Sequence, residues 1–167
     1  MEAKVHIVEP FCIRDYQHRI YVVARIARHR KPCVFSLDRI ASIEITDKHF
    51  NMPADFSPEV FFADAFGVMV PDNMEPERVK IRAYGDEMFY LASRPLHSSQ
   101  QSLSKIAIDE PYADFSLFIT PTLDFMGYML SRADRLEVLS PAWLRDKIMK
   151  SHVDSALRYR SDLVQKG

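Results

Sequence analysis

HRIYVVARI, residues 18–26, alternates between two sets of side chains along its whole length. Ile20, Val22, Ala24 and Ile26 alternate with Arg19, Tyr21, Val23 and Arg25. Successive side chains of a β-strand point to opposite faces, so this period of two predicts a strand with its first, apolar set on a core. The same geometry predicts that Arg19, Tyr21 and Arg25 share the opposite face.

Similar alternation extends over the first part of the chain, from residue 5 to residue 46. It predicts four short strands near residues 5–13, 18–27, 33–37 and 41–47, joined by polar turns at 14–17 and 28–32. In the last strand, Ala41, Ile43 and Ile45 alternate with Ser42, Glu44 and Thr46. Four such strands favour a small, strongly bent antiparallel sheet or barrel.

After residue 75 the pattern becomes an alternation of strands and helices. Strands are predicted at 78–84 and 135–139, a hairpin at 103–108 and 114–120, and helices at 86–93, 121–132 and 141–159. The order βαββαβ with a terminal helix is that of a ferredoxin-like sandwich. The predicted fold class is therefore α+β, with a barrel over residues 1–57, a short helix and linker over 58–75, and a ferredoxin-like domain over 76–167.

The composition describes a folded chain with an uneven distribution of charge. Hydrophobic residues make up 47% of the 167 residues, and the net charge of −1 excludes a protein that binds polyanions over its whole surface. Between Arg14 and Arg39, however, there are seven basic residues and two acidic ones, a local excess of +5. This excess predicts either a localised anion site or a basic hairpin loop that points into water.

The sequence offers no support for a metal site or a membrane segment. Cys12 and Cys33 lack the closely spaced partners of a structural zinc site, so small buried thiols are expected. No apolar run is long enough to cross a bilayer, and no secretory signal is found at the N-terminus, which favours the cytoplasm. We therefore predict no metal, no cofactor and no membrane partner.

The segment RPLHSSQ, residues 94–100, places His97 beside two serines. Adjacent residues cannot form a catalytic triad, whose members converge from separate elements, so we predict no enzyme activity. Two other roles stay open. The segment either terminates a helix by binding its free backbone groups, or contacts the barrel, where His97 would join the ligand-binding residues.

The predicted strand at residues 18–27 carries the best candidate binding site. Arg19 and Arg25 flank Tyr21 on one face, which provides bidentate donors for phosphate or carboxylate and a ring for stacking. Arg39, just after the neighbouring strand, could join them, and Ser36 is a neighbour in the same geometry. The alternative is that Arg39 pairs with Asp38 or Glu44 and ties the barrel together.

A second constellation is predicted on the ferredoxin-like sheet. If Val79, Ile81, Leu117 and Ile119 pack on the helices, then Arg82, Tyr84 and Phe118 fall on the open face. Basic and aromatic residues on such a face can stack unpaired bases, form a protein interface or seat the last helix. The sequence favours the interface, because it lacks the Gly-Phe-rich signature of an RNA-recognition motif.

Several segments, in this order, resemble those of the WYL-domain family of transcription regulators. They are RIYV at 19–22, FSLDRI at 35–40, FGV at 66–68, RPLHSSQ at 94–100 and LSPAWLR at 139–145. In the family, a Trp-Tyr-Leu strand after a basic residue precedes a Leu-Asp-Arg-Ile-like segment. Here Ile20 and Val22 replace the tryptophan and the leucine, a difference expected to change packing more than ligand chemistry.

The resemblance implies a Sm-like or SH3-like β-barrel followed by a ferredoxin-like extension. It also implies a module that senses an anionic ligand, such as a nucleotide, an oligonucleotide or single-stranded DNA, and controls a winged helix-turn-helix. Arg19, Tyr21 and Arg39 stand at matching positions, whereas Arg25 and Ser36 are inferred from strand geometry. They are the expected ligand contacts.

The chain enters its first predicted strand almost at once, without a winged helix-turn-helix. Either a stand-alone sensor or a fragment of a longer bacterial regulator is expected, and the fragment is favoured. It would reach DNA only through the missing domain and would form a homodimer. The alternative from a different class is a structural protein–protein interaction module that binds no small ligand.

Overall fold

The computed structural model describes residues 4–27, 29 and 31–164, with side chains as far as residue 160. Arg28 and Arg30, two of the basic residues counted above, lie outside the described residues. The described chain divides into two compact units. The first unit runs to residue 63 and includes residues 67–70, and the second unit contains residues 64–66 and the chain from residue 71 onward.

The first unit is built on a three-stranded antiparallel sheet in the order β1-β2-β3. Its strands are β1 (Val8–Tyr16), β2 (Arg19–Ile26) and β3 (Pro32–Ser36), followed by a 3₁₀ turn at Leu37–Arg39 and a short helix α1 (Pro58–Phe61). Gln17 and His18 both have positive φ, 50° and 63°, as a two-residue hairpin of the primed type requires. The turn therefore lies at 17–18 and not at 14–17, and Arg14 belongs to a strand.

The fourth predicted strand, at residues 41–47, does not form in the described chain. Residues 40–47 make no strand pairing, and Ile43 and Ile45 are 73% and 99% exposed. The prediction was wrong because alternation shows only that the side chains suit a strand. A strand also needs a neighbouring strand that forms hydrogen bonds with its backbone. Within the described residues the first unit is thus an open sheet.

The predicted core face of β2 also needs correction. Val23 and Ala24 are adjacent and both fully buried, so the middle of the strand is covered on both faces. Ile20, which was predicted to face the core, is 37% exposed, and Ile13 near it is 72% exposed. On the face that carries Tyr21, the Arg14 guanidinium lies against the Phe62 ring and the Arg25 guanidinium lies 5.5 Å from the centre of the Phe11 ring.

The second unit has the predicted βαββαβ order. Its elements are β4 (Glu77–Tyr84), α2 (Asp86–Ser93), β5 (Gln101–Ser102), β6 (Tyr112–Ile119), α3 (Leu123–Ser131), β7 (Leu136–Ser140) and α4 (Ala142–Val164). The sheet order is β5-β6-β4-β7 with antiparallel neighbours throughout, which is the ferredoxin-like arrangement. The α+β class is confirmed. The predicted strand at 103–108 is replaced by the two-residue β5.

One apolar core holds the second unit together. Alternate residues of β4 and β6 meet the inner faces of α2, α3 and the start of α4, where Phe125, Met129 and Leu144 are buried. Because Val79, Ile81, Leu117 and Ile119 are all fully buried, the other face of the sheet is the open one, as predicted. Within residues 4–27, 29 and 31–164, none of the helices is both long and apolar enough to cross a membrane.

Candidate ligand-binding site

The register of the first sheet brings three polar residues onto one rung. Arg14 pairs with Tyr21, and Tyr21 pairs with Ser36, so the three side chains stand side by side on the same face. Directly opposed residues of antiparallel strands have Cβ atoms about 5 Å apart. A guanidinium, a phenol and a hydroxyl are therefore held together by backbone pairing alone.

Arg14 is the member of this rung that sequence reasoning missed. Its guanidinium carbon lies 4.0 Å from the centre of the Phe62 ring, and no carboxylate pairs with it among the described residues. The signal that could have found it is the hairpin turn. A two-residue turn at Gln17 and His18 sets Arg14 opposite Tyr21, whereas a turn at 14–17 removes it from the sheet.

The positive charge of Arg14 affects the pKa of Cys12, which lies two residues earlier on the same strand. Burial raises the pKa of the Cys12 thiol, the charge of Arg14 opposes that rise, and the charge of Glu59 adds to it. Glu59 itself accepts a hydrogen bond from the Ser57 hydroxyl at 2.7 Å, which lowers its pKa. This end of the sheet is thus an electrostatically mixed environment in which Arg14 supplies the positive charge.

Ser36 contributes a hydroxyl whose bonding capacity is unused. Its Oγ is buried and has no hydrogen-bond partner among the described residues. A buried hydroxyl without a partner costs about 1–3 kcal/mol, so a donor or acceptor that reached this atom would recover part of that free energy. Ser36 therefore fits its predicted role as a neighbour of the binding residues.

Arg19 stands on the same face of β2, and Arg39 ends the 3₁₀ turn that follows β3. Arg19 is two residues before Tyr21 and meets Asp38 at 3.6 Å, with both side chains more than half exposed. Such a loose surface pair contributes little and can be displaced. Arg39 is exposed, and no described residue forms an ion pair or hydrogen bond with it. Asp38 thus pairs with Arg19, and the predicted alternative pairing of Arg39 is not found.

Arg25 does not join this group. Its Nε donates to the Glu9 carboxylate at 2.6 Å, both side chains are largely buried, and its guanidinium lies 5.5 Å from the Phe11 ring centre. Arg25 lies four residues after Tyr21 on β2, a distance of about 13 Å along the strand. The prediction placed it beside Tyr21 on the correct face but too far along the strand, and its charge is already neutralised.

His97 has a structural role in the second unit. The side-chain Nε2 of Gln100 donates to the backbone carbonyl of Leu91 in α2 at 2.8 Å. The side-chain Oε1 of Gln100 accepts a hydrogen bond from the backbone N–H of Leu96. The Ser99 amide donates to His97 Nδ1 at 3.2 Å. The segment therefore terminates α2, which confirms the first of the two roles predicted for it.

Cross-strand hydrogen bonds engage Arg82 and Tyr84, two of the residues predicted on the open face of the second sheet. Arg82 donates two hydrogen bonds to Asp114, at 2.7 and 3.0 Å, and lies 3.7 Å from the ring centre of Tyr112. The bond to Asp114 raises the pKa of Arg82 further above its ordinary value. Tyr84 donates to Glu137 at 2.7 Å, and this bond raises the Tyr84 pKa. These groups have little capacity left for an anion.

No metal site accompanies the rung. Among the described residues, no group of three or more histidine, cysteine or acidic side chains could hold a metal ion. The rung provides cations, a hydroxyl and an aromatic ring, which is a set suited to phosphate or carboxylate attached to a planar group.

Comparison with protein families identifies the part of the chain that carries this site. Residues 2–45 match the model of the family described as WYL domain. The match contains the whole rung and also Arg19 and Arg39, and it confirms the resemblance seen in the sequence. It does not extend into the ferredoxin-like unit.

Comparisons with individual proteins do not identify a function for the chain. No curated protein has significant sequence similarity to the chain. Among solved structures, the chain is similar to proteasome accessory factor B/C (PafBC) of Arthrobacter aurescens, with 16% identity and a TM-score of 0.36 over 87% of this chain. The chain spans 21% of the length of that protein. A similarity at this level carries no conclusion about function.

Proposed function

We propose that the chain, whose residues 2–45 match the WYL domain model, is a ligand-sensing regulatory module of a bacterial transcription regulator. The observation that supports this proposal is the rung of Arg14, Tyr21 and Ser36. Arg19 stands on the same face, and Arg39 ends the 3₁₀ turn after β3. Two guanidiniums stand on this face and a third belongs to the 3₁₀ turn after β3, and the carboxylate that pairs with Arg19 is the loosely held Asp38. An anion is the complementary ligand.

The proposed ligand class is a nucleotide or a short single-stranded nucleic acid. Guanidinium groups bind phosphate through paired N–H donors, and the Tyr21 ring offers a surface on which a base can stack. The unused hydroxyl of Ser36 supplies a further polar contact in the same rung. Arg25 and His97 are left out, because both are engaged in the internal bonds described above.

The proposed mechanism is regulation by differential affinity. A ligand that contacts both β2 and Arg39 would link the sheet to the 3₁₀ turn that follows β3. It can change the state of the regulator only by the difference between its affinities for the two states. The DNA-binding domain under this control would lie outside the present chain, and the module would act in the cytoplasm as a non-enzymatic homodimer.

Titration of single-stranded oligonucleotides and of mononucleotides at low salt, followed by fluorescence anisotropy, tests the proposal. Arg19→Ala and Arg39→Ala are expected to lower the affinity about tenfold each, since each removes a charge-assisted contact. Arg78→Ala, an exposed arginine on a strand of the other sheet, is the matched control and is expected to leave binding unchanged. Binding that survives in both site variants would reject this site.

A second candidate is an interaction module whose cationic sheet binds an acidic protein. The observation that favours it is the exposed apolar surface on the opposite face of the same sheet, where Ile13 is 72% and Ile20 37% exposed. Surfaces of this composition are typical of protein interfaces. Salt-sensitive co-purification of an acidic partner, with no response to nucleotides or oligonucleotides, would support this candidate against the first.

A further inference from the structure

Phe62 contacts Arg14, the arginine that the register adds to the candidate site. The Phe62 side chain is 7% exposed, and the Arg14 guanidinium carbon lies over its ring at 4.0 Å from the ring centre. A cation over the face of an aromatic ring is attracted by the ring quadrupole, more strongly where water is excluded. The ring therefore holds the guanidinium on the sheet face that also carries Tyr21.

The position of the Phe62 ring is itself fixed by the first unit. Phe62 follows the short helix α1, where its backbone N–H donates to the carbonyls of Pro58 and Val60. Its ring meets that of Phe61 edge to face, with centres 4.8 Å apart and planes at 84°. A buried ring packed in this way has little freedom to move, so it is a rigid support for the guanidinium of Arg14.

The support of Arg14 by a ring leaves its hydrogen-bond donors free. Arg82 shows the opposite case, because it lies 3.7 Å from the Tyr112 ring centre but also donates two hydrogen bonds to Asp114. A ring attracts the cation without supplying an oxygen atom, whereas a carboxylate takes up N–H donors. Among the described residues, Arg14 has the contact with Phe62 and no carboxylate partner.

The free donors of Arg14 match one part of a nucleotide. Guanidinium N–H groups bind phosphate oxygens through paired, charge-assisted hydrogen bonds, and a neutral nucleoside offers them no anion. The ring of Tyr21 can stack on a base whether or not a phosphate is attached to it. Within the rung, the phosphate therefore depends on Arg14 and the base depends on Tyr21.

We infer that Phe62 is a positioning residue that gives the site its preference for phosphate, because it holds Arg14 with its donors free. The inference rests on the proposed function, in which the rung is the ligand site. Without the ring, Arg14 samples more orientations, and the freedom that it loses on binding phosphate lowers the affinity. The loss falls on ligands that carry phosphate and spares those that do not.

Titrations of the full chain with adenosine 5′-monophosphate and with adenosine at low salt, followed by amide chemical shifts, test the inference. Phe62→Leu keeps an apolar side chain but removes the ring. It is expected to weaken binding of the monophosphate about fivefold and to leave binding of adenosine unchanged.

Two controls accompany this variant. Phe56→Leu is the same substitution in the same aromatic cluster, at a ring that contacts Phe11 and Phe61, and is expected to change neither affinity. In an Arg14→Ala background, Phe62→Leu is expected to have no further effect, because the guanidinium that the ring holds is gone.

The results distinguish a failure of the inference from a failure of the proposed function. Phe62→Leu that keeps the wild-type affinity for the monophosphate, or that lowers both affinities by the same factor, overturns the inference and leaves the proposed function standing. A wild-type chain that binds neither the monophosphate nor single-stranded oligonucleotides overturns both.

A second variant serves if Phe62→Leu does not fold. Pentafluorophenylalanine in place of Phe62 keeps the shape of the ring and reverses its quadrupole, so the same selective loss of monophosphate binding is expected. An unchanged preference for the monophosphate in that variant overturns the inference.

Discussion

Arg82 of the four-stranded sheet and Arg14 of the three-stranded sheet are held in opposite ways. In the four-stranded sheet, Arg82 donates two hydrogen bonds to Asp114, so its charge is compensated inside the sheet. In the three-stranded sheet, Arg14 has no carboxylate partner among the described residues, and Arg19 meets Asp38 only at 3.6 Å. An arginine on a sheet face is available to a ligand only where its own sheet leaves the charge uncompensated, which distinguishes Arg14 from Arg82 and, within the first sheet, from Arg25.

The largest expected difference between the sheets is in stability. Phe115 is 1% exposed in the core of the second unit, and Phe115→Ala is expected to lower the free energy of unfolding by about 3–5 kcal/mol, through lost burial and the cavity left behind. Ile13→Ala on the exposed face of the first sheet is expected to change it by less than about 0.5 kcal/mol. Urea unfolding followed by circular dichroism measures both. Equal losses of unfolding free energy in the two variants would contradict this prediction.

The next prediction concerns the two aspartates. Asp114→Ala leaves the partly buried Arg82 without its carboxylate and is expected to cost roughly 1–2 kcal/mol of stability after allowance for solvent screening. Asp38→Ala breaks an exposed pair and is expected to cost less than about 0.5 kcal/mol. The same unfolding measurement compares them. A larger loss in Asp38→Ala would show that the first sheet also depends on its ion pair.

Ligand affinity is expected to respond to Arg14, the residue that the register adds to the site. Arg14→Ala is expected to weaken binding of a single-stranded oligonucleotide about tenfold, because it removes a cation next to Tyr21. Arg78→Ala, on the second sheet, serves as the control in the same anisotropy assay. If both variants lose affinity equally, the attraction comes from overall charge and not from the rung.

The smallest effect is the pH dependence of the second sheet. The hydrogen bond to Glu137 raises the folded-state pKa of Tyr84, so the bond stabilises the fold below the ordinary tyrosine pKa of about 10 and is lost as pH rises through the raised value. Tyr84→Phe is expected to be less stable than wild type by about 0.5 kcal/mol at neutral pH, because the group is partly exposed. The two proteins are expected to converge at high pH in the same unfolding assay.

The alternation in the sequence determined much of the architecture. Residues that repeat every second position place β2, β4, β6 and β7 near their observed positions, and the order of strands and helices determines the ferredoxin-like second unit. Local patterns suffice here because each strand and helix needs one buried face, and the spacing of apolar residues within the segment reveals that face. The segments that resemble the WYL family were also visible without a structure, and the family match to residues 2–45 contains the first two of them, at 19–22 and 35–40.

Only the tertiary structure decided which charges are free. Arg25 and Arg19 look alike in the sequence, yet Arg25 meets Glu9 sixteen positions earlier in the chain, and Arg14 enters the rung only through a two-residue hairpin. Residues 41–47 alternate like a strand and have no partner among the described residues. Pairing, neutralisation and burial depend on residues far apart in sequence, so no local pattern can contain them.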